Sequence, residues 1–311
     1  MLRTLLGLFS SYAHPFERKA DRFFKSIKSN TSRGSTQKKL SKLMQENLVV
    51  LNLWMEKKYK NYAYLKKGVR KRMYADVEVL KIEFLKYYEA NPVSEKRLHQ
   101  HLTAVGNSIP ARLREQLIYL ATIMEYLKPG PHYTYQAAAN FGKLLKNPLK
   151  EKLVGDCNQI VTLYTFLYAL KYPISDLRIK ILPRHVCLHI EGIDIEATNA
   201  TFKKYKEFDY ILPITEIVST NLLDVVDVEA KTKAIHPRAI VKRAQLAEKI
   251  SSMRDLVTRN LEIAYKNLGI MLMKDKDYKG AIFFFEKTRD RTAIQSAYRN
   301  AAVHYMNKKS F

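Results

Sequence analysis

The chain has 311 residues, of which 47% are hydrophobic and 27% are charged, and these proportions exclude wholesale disorder. At about 100–200 residues per domain, the length predicts two domains with cores of their own. Lysines and arginines (54) exceed aspartates and glutamates (30), and the formal net charge of +24 predicts acidic partners or surfaces. Two cysteines are too few for a disulfide scaffold, and no apolar run reaches the about 18 residues of a membrane-spanning helix. We therefore expect a cytoplasmic protein without a transmembrane segment.

The first 39 residues are predicted to form a basic N-terminal segment followed by a linker. The opening stretch, MLRTLLGLFSSYA, is interrupted too early for a signal peptide and favours an amphipathic helix that docks on the protein or on a membrane surface. Residues 28–39, KSNTSRGSTQKK, contain almost no apolar side chains and several helix breakers, which is typical of a linker.

Residues 40–128 form a lead-in region that we predict to be almost wholly helical. Apolar residues recur at helical spacing from 40 to 64, and a second helix is expected over 69–90. Ser94 is the candidate N-cap of a third helix, and Pro110 begins a fourth. The Lys-Pro-Gly-Pro stretch that follows is the clearest domain boundary in the chain.

The positive charge is concentrated in the first half of the chain. Residues 1–150 carry 28 basic and 11 acidic residues (+17), whereas residues 151–311 carry 26 and 19 (+7). The densest basic stretch contains tyrosines that could stack on nucleic-acid bases, and its cations could equally bind an anionic lipid surface. A helix with its tyrosines in the core and its lysines in water explains the same pattern. The candidate residues for an anionic partner are Lys57, Lys58, Lys60, Lys66, Lys67, Arg70, Lys71 and Arg72.

Residues 129–225 are predicted to combine helices with a small antiparallel sheet, which makes the chain an α+β protein. A helix is expected over 135–145, and a second, strongly apolar one begins at Cys157. Three short strands follow, over 177–182, 186–190 and 193–197.

The last two strands form a predicted hairpin with a two-residue turn, Glu191-Gly192. This turn pairs Ile190 with Ile193 and His189 with Asp194. Alternation then places aliphatic side chains on one face of the hairpin and polar or reactive ones on the other. The polar set is His185, Cys187, His189, Asp194 and Glu196. Core packing does not explain such a collection, so it indicates a functional site.

Cys157 is the candidate nucleophile of this site. The start of a helix favours the thiolate form of cysteine, and a neighbouring histidine with an acid behind it would complete the activation. A small buried thiol without chemistry is the plainer interpretation of a cysteine that opens an apolar helix. His185, Cys187 and His189 suit zinc chemically, but their alternate spacing differs from that of the usual ligand pairs, so we predict no metal and no cofactor.

Three short motifs carry a resemblance to a known family. GDC at 155–157, LPRH at 182–185 and IDIEAT at 193–198 resemble, in order and spacing, the transglutaminase-like superfamily, whose core fold is similar to that of papain-type cysteine proteases. The resemblance implies that Cys157 is the nucleophile and His185 the general base. Glu196 stands where the family usually has aspartate, followed by Ala-Thr in place of Pro-Thr, and Asp194 is the fallback for the acid.

Four further residues are candidates for supporting roles in this site. Asn158 and Gln159 follow the nucleophile, and the amide at the helix start, together with a side-chain amide, is a candidate oxyanion hole. His189 and Cys187 are expected beside the catalytic residues on the polar face of the hairpin.

Residues 226–311 are predicted to form a helical tail with an internal repeat. Segments that begin at Ala264 and Ala297 align at an offset of 33 residues. Six residues of the first resemble the tetratricopeptide consensus, namely Tyr265, Leu268, Gly269, Tyr278, Ala281 and Phe285. Two repeats are fewer than a solenoid needs, so we expect them to pack on a preceding helix near 240–260. A bacterial group of transglutaminase-like proteins carries such a tail, which implies a protein partner there; helix packing without a partner is the alternative.

The resemblance implies thiol chemistry on an amide bond of a protein or peptide substrate. The reaction would be either hydrolysis of a peptide or isopeptide bond or acyl transfer to an amine. Two other function classes stay open at this point. One is a catalytically idle scaffold that binds protein partners through its repeats, and the other is a protein that binds nucleic acid or membranes through its basic stretch.

Overall fold

The computed structural model describes residues 11–130, 133–136, 141–144, 153–223 and 236–309. Within these ranges, helices surround a small antiparallel sheet, so the predicted α+β class is confirmed. Most of the predicted amphipathic start of the chain lies outside the described residues, as do part of the predicted boundary at 128–131 and the end of the second repeat. Among the described helices, none is both long enough and apolar enough to cross a bilayer.

The lead-in region is helical, as predicted. Its helices are α1 (Pro15–Ser26), α2 (Arg33–Met55), α3 (Lys67–Ala90), α4 (Glu95–Thr103) and α5 (Arg114–Tyr126). A π-helical turn over Glu56–Lys60 extends α2, and a 3-10 turn over Ala111–Leu113 precedes α5. Ser94 caps α4 as expected, since its side chain accepts the N–H of Arg97 at 3.3 Å.

The linker predicted over residues 28–39 is wrong in its second part: residues 28–32 connect α1 to α2, but α2 already begins at Arg33. Contacts with the tail stabilise this polar first turn in place of apolar packing. The guanidinium of Arg33 donates to Glu248 at 2.7 Å, and the side-chain amide of Gln37 donates to the carbonyl of Ile250 at 3.3 Å. These partners lie 215 and 213 residues away along the chain, so local composition carries no trace of them.

The sheet contains the three predicted strands and two more. Its strands are β3 (Arg178–Leu182), β4 (His185–Ile190), β5 (Ile193–Glu196), β6 (Thr201–Lys203) and β7 (Tyr210–Pro213), in the spatial order β6-β5-β4-β3-β7. All neighbouring strands are antiparallel. The two edge strands escape prediction because they have only three and four residues and lack a full period of alternation.

A separate pair of short parallel strands, β1 (Tyr133–Tyr135) and β2 (Leu153–Gly155), precedes the main sheet. The helix predicted over 135–145 is therefore wrong at its start, where Tyr135 pairs with Gly155. A single helical turn, α6 (Phe141–Leu144), falls within the predicted span. The buried carboxylate of Glu56 accepts the first two N–H groups of this turn at 3.0 and 3.1 Å, which stabilises the start of a very short helix.

One continuous hydrophobic core joins the lead-in region to the sheet. Helix α7 (Cys157–Tyr168) packs against β4, α2 and α5 and is buried along almost its whole length. The aliphatic face of the predicted hairpin, from Val186 to Ile195, belongs to the same core. Burial of this helix on several sides explains why its sequence is apolar without a polar stripe.

Helix α8 (Glu216–Leu223) follows the sheet, and the described helices of the tail are α9 (Pro237–Ile250), α10 (Arg254–Lys274), α11 (Tyr278–Phe285) and α12 (Arg291–Lys309). Helices α10 to α12 pack in sequence, α10 also packs on α9, and a second, smaller core lies between them. At Gly269 a Cβ atom would lie 2.9 Å from the ring of Phe285, so the absence of a side chain allows α10 and α11 to approach closely. The repeat pattern thus corresponds to a helical hairpin in the structure.

The structure removes two residues from the predicted anionic-partner stretch. Arg70 is 1% exposed, and its guanidinium donates to the carboxylate of Glu17 at 2.6 Å. Lys60 is also buried, with its ammonium group 5.2 Å from the ring centroid of Tyr62. The rings of Tyr59 and Tyr62 are buried as well, so they do not offer a face on which nucleic-acid bases could stack.

The Glu17–Arg70 pair anchors the lead-in region. Glu17 also accepts the hydroxyl of Tyr74 at 2.6 Å, and Arg70 donates to the carbonyl of Leu65 at 2.7 Å. Arg70→Met should lower the free energy of unfolding by about 3–5 kcal/mol, because it leaves the buried carboxylate of Glu17 without its charged partner. Urea denaturation followed by circular dichroism measures this loss. Arg72→Met is the matched control, since Arg72 is exposed, and equal effects of the two substitutions would contradict the role given to the pair.

Candidate active site

Cys157 occupies the first turn of α7, as predicted. Asp156 is the N-cap, and its carboxylate accepts the N–H groups of Asn158 and Gln159 at 2.9 and 3.3 Å. The side chain of Gln159 in turn accepts the N–H of Asp156 at 3.2 Å, which completes a capping box. The cysteine is 9% exposed. The cap therefore holds the thiol at a defined place at the N-terminus of a buried helix.

The predicted hairpin register is confirmed. Ile190 pairs with Ile193, and His189 pairs with Asp194. Glu191 and Gly192 have φ angles of 43° and 86°, so both turn residues are left-handed, as a type I′ turn requires. This register places His189 of β4 opposite Asp194 of β5, and alternation puts His185 and Glu196 on the same face of the sheet.

The polar face of the sheet also includes a lysine that the sequence analysis missed. Lys180 of β3 pairs with Cys187 of β4, so it lies on the same face as the predicted polar set. Its side chain is buried, and its ammonium group donates to Asp194 at 2.8 Å. The signal was a lone lysine in the otherwise aliphatic stretch of residues 179–182, but its partner became apparent only from the strand register.

His185 links the thiol to the acid. Its Nε2 donates to the carboxylate of Glu196 at 2.6 Å, and its ring lies near enough to Cys157 to interact with the cysteine side chain. The interaction with Cys157 and then the hydrogen bond to Glu196 raise the pKa of His185 to about 10 against the opposing effect of burial. The structure thus brings together the three residues that the motifs predicted, and it holds the imidazole in its charged form at neutral pH.

Glu196 is buried and has four hydrogen-bond donors. One oxygen accepts His185 Nε2 and the hydroxyl of Tyr205, the latter at 2.7 Å. The other accepts the N–H and the hydroxyl of Thr198 at 3.1 and 2.5 Å. Burial on its own raises the pKa of this carboxyl, but the hydrogen bonds from His185, Thr198 and Tyr205 outweigh it, and the net pKa is lowered. Glu196 is therefore an ionised carboxylate behind the histidine.

The fallback acid, Asp194, has a different set of partners and does not contact His185. One of its oxygens accepts His189 Nδ1 at 2.7 Å, and the other accepts the ammonium group of Lys180 and the N–H of Tyr205, both at 2.8 Å. His189 Nε2 accepts the N–H of Gly192 at 3.0 Å, so its proton resides on Nδ1. His189 thus ties the hairpin turn to Asp194, whereas Glu196 is the acid that contacts the candidate base.

The connection between β6 and β7, residues 204–209, covers the polar face of the sheet. Because β6 and β7 are the two edge strands, this segment crosses four strand spacings, about 19 Å, in a nearly extended form. Tyr205 anchors it through its N–H to Asp194, its hydroxyl to Glu196 and its carbonyl, which accepts Lys180 at 2.9 Å. Tyr205 is therefore the residue that connects the two buried carboxylates.

The remaining predicted site residues have structural contacts. Cys187 is fully buried, and burial, followed by the charges of Asp194 and Glu196, raises the pKa of its thiol. Gln159 is 2% exposed and belongs to the helix cap, so it does not reach a substrate. The backbone N–H of Asn158 is likewise used by Asp156, and its side chain is only half-buried.

Tyr135 lies beside the candidate nucleophile, although the sequence analysis did not select it. It is paired with Gly155, two residues before Cys157, and its side chain is 54% exposed. Partial burial, followed by electrostatic interaction with Cys157 and Asp156, raises the pKa of Tyr135. Tyr135 is thus an exposed aromatic side chain next to the thiol.

Comparison of the chain with protein-family models, with curated proteins and with solved structures returned no match.

Tyr205→Phe tests the contact that joins the two carboxylates. Loss of the hydroxyl removes one of four donors from Glu196, and we expect the free energy of unfolding to fall by about 1 kcal/mol because the site is partly open to solvent. Urea denaturation measures the change. Tyr210→Phe is the control, since that side chain is 51% exposed; an equal loss in both variants would contradict the role of Tyr205.

The protonation of His185 offers a second test. Because its pKa is raised to about 10, the ring should stay charged through neutral pH and lose its proton only as the pH rises through that value. Cys157→Ala and Glu196→Gln should each lower this pKa, because each removes a hydrogen-bond partner of the charged ring. NMR titration of the ring nitrogens measures the midpoint, with Cys187→Ala as the control that leaves it unchanged. A midpoint near the ordinary histidine value of about 6.5 in the unmodified protein would contradict the geometry.

Proposed function

We propose that the protein is a cysteine enzyme of the transglutaminase-like type that acts on amide bonds, with Cys157 as nucleophile, His185 as general acid and base, and Glu196 as the residue that orients His185. The observation that carries this proposal is that His185, whose Nε2 contacts a buried, ionised carboxylate at 2.6 Å, interacts on its other side with the thiol of Cys157 at the start of a buried helix. Such a series of nucleophile, base and orienting acid is the recurring arrangement of enzymes that transfer acyl groups.

The surroundings of the Cys157 thiol favour thiol chemistry. Cys157 lies at a helix N-terminus, where partial positive charge stabilises a thiolate, and it interacts with the imidazolium of His185. The same two features in an inert structural cysteine would serve no packing purpose. Cys187 provides the contrast within this chain, since it is fully buried and its pKa is raised.

In the first half of the proposed reaction, the Cys157 thiolate attacks the carbonyl carbon of the substrate amide. A C–S bond forms, and the electron pair of the carbonyl moves onto its oxygen to give a tetrahedral intermediate. When the intermediate collapses, the C–N bond breaks, and the imidazolium of His185 gives its proton to the departing amine. The enzyme then holds the acyl group as a thioester, and His185 is neutral.

In the second half, neutral His185 takes a proton from a water molecule or from an acceptor amine as that molecule attacks the thioester. The C–S bond breaks, and the thiolate and the imidazolium are restored. Water gives hydrolysis and an amine gives acyl transfer. Through both halves Glu196 stays ionised and fixes the ring orientation, because Thr198 and Tyr205 occupy its remaining hydrogen-bonding positions.

The reactivity of Cys157 tests the proposal. At pH 6.5, iodoacetamide should alkylate Cys157 at least about tenfold faster than glutathione, because only about 1% of an ordinary thiol with a pKa near 8.5 is ionised there. Mass spectrometry of the digested protein locates and times the modification. His185→Ala should reduce the rate to that of an ordinary thiol, whereas Cys187→Ala should leave it unchanged.

A peptide aldehyde separates acyl chemistry from mere thiol reactivity. A thiolate adds to the carbonyl carbon of an N-acetylated dipeptide aldehyde. The oxygen of this adduct occupies the position of the oxyanion in the tetrahedral intermediate. We expect it to protect Cys157 from iodoacetamide reversibly in the unmodified protein. A Cys157 that alkylates no faster than glutathione and is not protected would overturn the enzyme proposal and favour an idle scaffold.

A further inference from the structure

A cleft of about 650 Å³ lies between the lead-in region and the tail, and it shares no lining residue with the candidate active site. Helices α1 and α9 both pack on α2, and the cleft opens between the C-terminal end of α1 and the adjacent α9 and α10. Its deepest side chains are apolar or aromatic, namely Phe24, Tyr59 and Leu246, which are 2%, 5% and 5% exposed. The volume is in the range of protein ligand sites, which is about 300–1,000 Å³.

Lysines line this cleft on the side of α1 and on the side of α9. Lys25 and Lys28 come from the end of α1 and the turn after it, and Lys242 and Lys249 come from α9. Among the described lining residues the one acid is Glu248, which is bound by Arg33 at 2.7 Å and by Lys249 at 3.2 Å.

Two of the four lysines have no acidic partner among the described residues. Lys25 binds Asp21 at 2.6 Å, but among the described residues neither Lys28 nor Lys242 forms an ion pair. Lys242 instead lies 5.5 Å from the ring centroid of Tyr59. Like charges that border one concave, partly apolar site create a focused positive potential, and an anion placed between them would relieve it.

We propose that this cleft binds an acidic peptide segment of a partner protein, with carboxylates toward Lys28 and Lys242 and a large apolar side chain against Ile27, Leu246 and Leu261. The charge of the lining argues for the carboxylates, and its aliphatic side chains argue for the apolar residue between them. Gln245, which donates to the hydroxyl of Tyr265 at 3.2 Å at the edge of the cleft, adds polar groups for a peptide backbone.

The shape and the rings of the cleft favour a peptide over the other anionic partners. A flat bilayer surface or a nucleic-acid duplex does not enter a concave site of this size, whereas an extended peptide does. Single-stranded nucleic acid binds through stacking on exposed aromatic faces, but Phe24 and Tyr59 are almost fully covered, which leaves the half-buried Tyr265 as the one aromatic ring that the described lining offers. An acidic peptide needs only the cations and the aliphatic floor that the cleft provides.

Fluorescence anisotropy with the full chain and a fluorescein-labelled peptide, GEELEFEEG, tests this site. The unmodified protein should bind this peptide at least about tenfold more tightly than GEESESEEG, which has the same charge but lacks apolar side chains. The double variant Lys28→Glu/Lys242→Glu should weaken binding by about tenfold or more. Lys38→Glu/Lys96→Glu is the matched control, because it makes the same charge change at exposed positions outside the cleft and should alter affinity by no more than about twofold.

Three results would overturn the proposal. One is equal weakening by the two double variants, which would show attraction to the net charge alone. The second is that the unmodified protein, which circular dichroism shows to be folded, does not bind GEELEFEEG up to about 1 mM peptide. This concentration corresponds to about 4 kcal/mol of binding free energy. The third is that the cleft lysines control the affinity for an oligo-dT strand or for phosphatidylserine vesicles but not for the peptide. Because the cleft and the thiol share no residue, these outcomes are independent of the reactivity of Cys157.

Discussion

A carboxylate buried in a protein costs several kcal/mol unless hydrogen-bond donors surround it. The polar face of this sheet buries two, Glu196 and Asp194, and the arrangement of the site follows from the need to satisfy them. His185 and Thr198 donate hydrogen bonds to Glu196. Lys180 and His189 donate to Asp194, and Tyr205 donates to both carboxylates. The segment that crosses the sheet from one edge to the other is held in place by these bonds. The hydrogen bonds that offset the cost of burying these carboxylates also orient the candidate catalytic histidine.

The lead-in region and the tail depend on the same principle. Buried carboxylates join segments that are distant in sequence: Glu17 joins α1 to Arg70 of α3, and Glu56 joins the end of α2 to α6. Glu216 of α8 accepts the hydroxyl of Ser251 at 2.8 Å and so joins α8 to the end of α9. Although the chain has 54 basic and only 30 acidic residues, several of these acids are buried as internal anchors. The excess of lysine is then left to the surface and to the cleft beside α9.

Much of the active-site geometry could be predicted from local pattern. The Gly-Asp-Cys sequence predicted a helix start at Cys157, and the Glu191-Gly192 turn with its flanking alternation predicted the register that pairs His189 with Asp194. Both depend on interactions between residues close in sequence, where cap and turn chemistry leave few alternatives. The choice between Glu196 and Asp194 as the partner of His185 was not local. It required the strand geometry and the positions of Lys180 and Tyr205, which lie on separate elements.

The sequence by itself determined the α+β class, the helical lead-in, the hairpin and its two chemically different faces, and the helical hairpin of the tail. Periodicity and turn chemistry carry that information, because they act over fewer than about ten residues. Only the tertiary structure decided that residues 33–39 belong to a helix, that Arg70 and Lys60 are buried, and that a lysine-lined cleft lies between α1 and α9. For residues 33–39 and for Arg70, the deciding partner is distant along the chain. A positive charge has the same sequence signature whether it faces water, a buried carboxylate or a cleft, and only its folded surroundings distinguish the three.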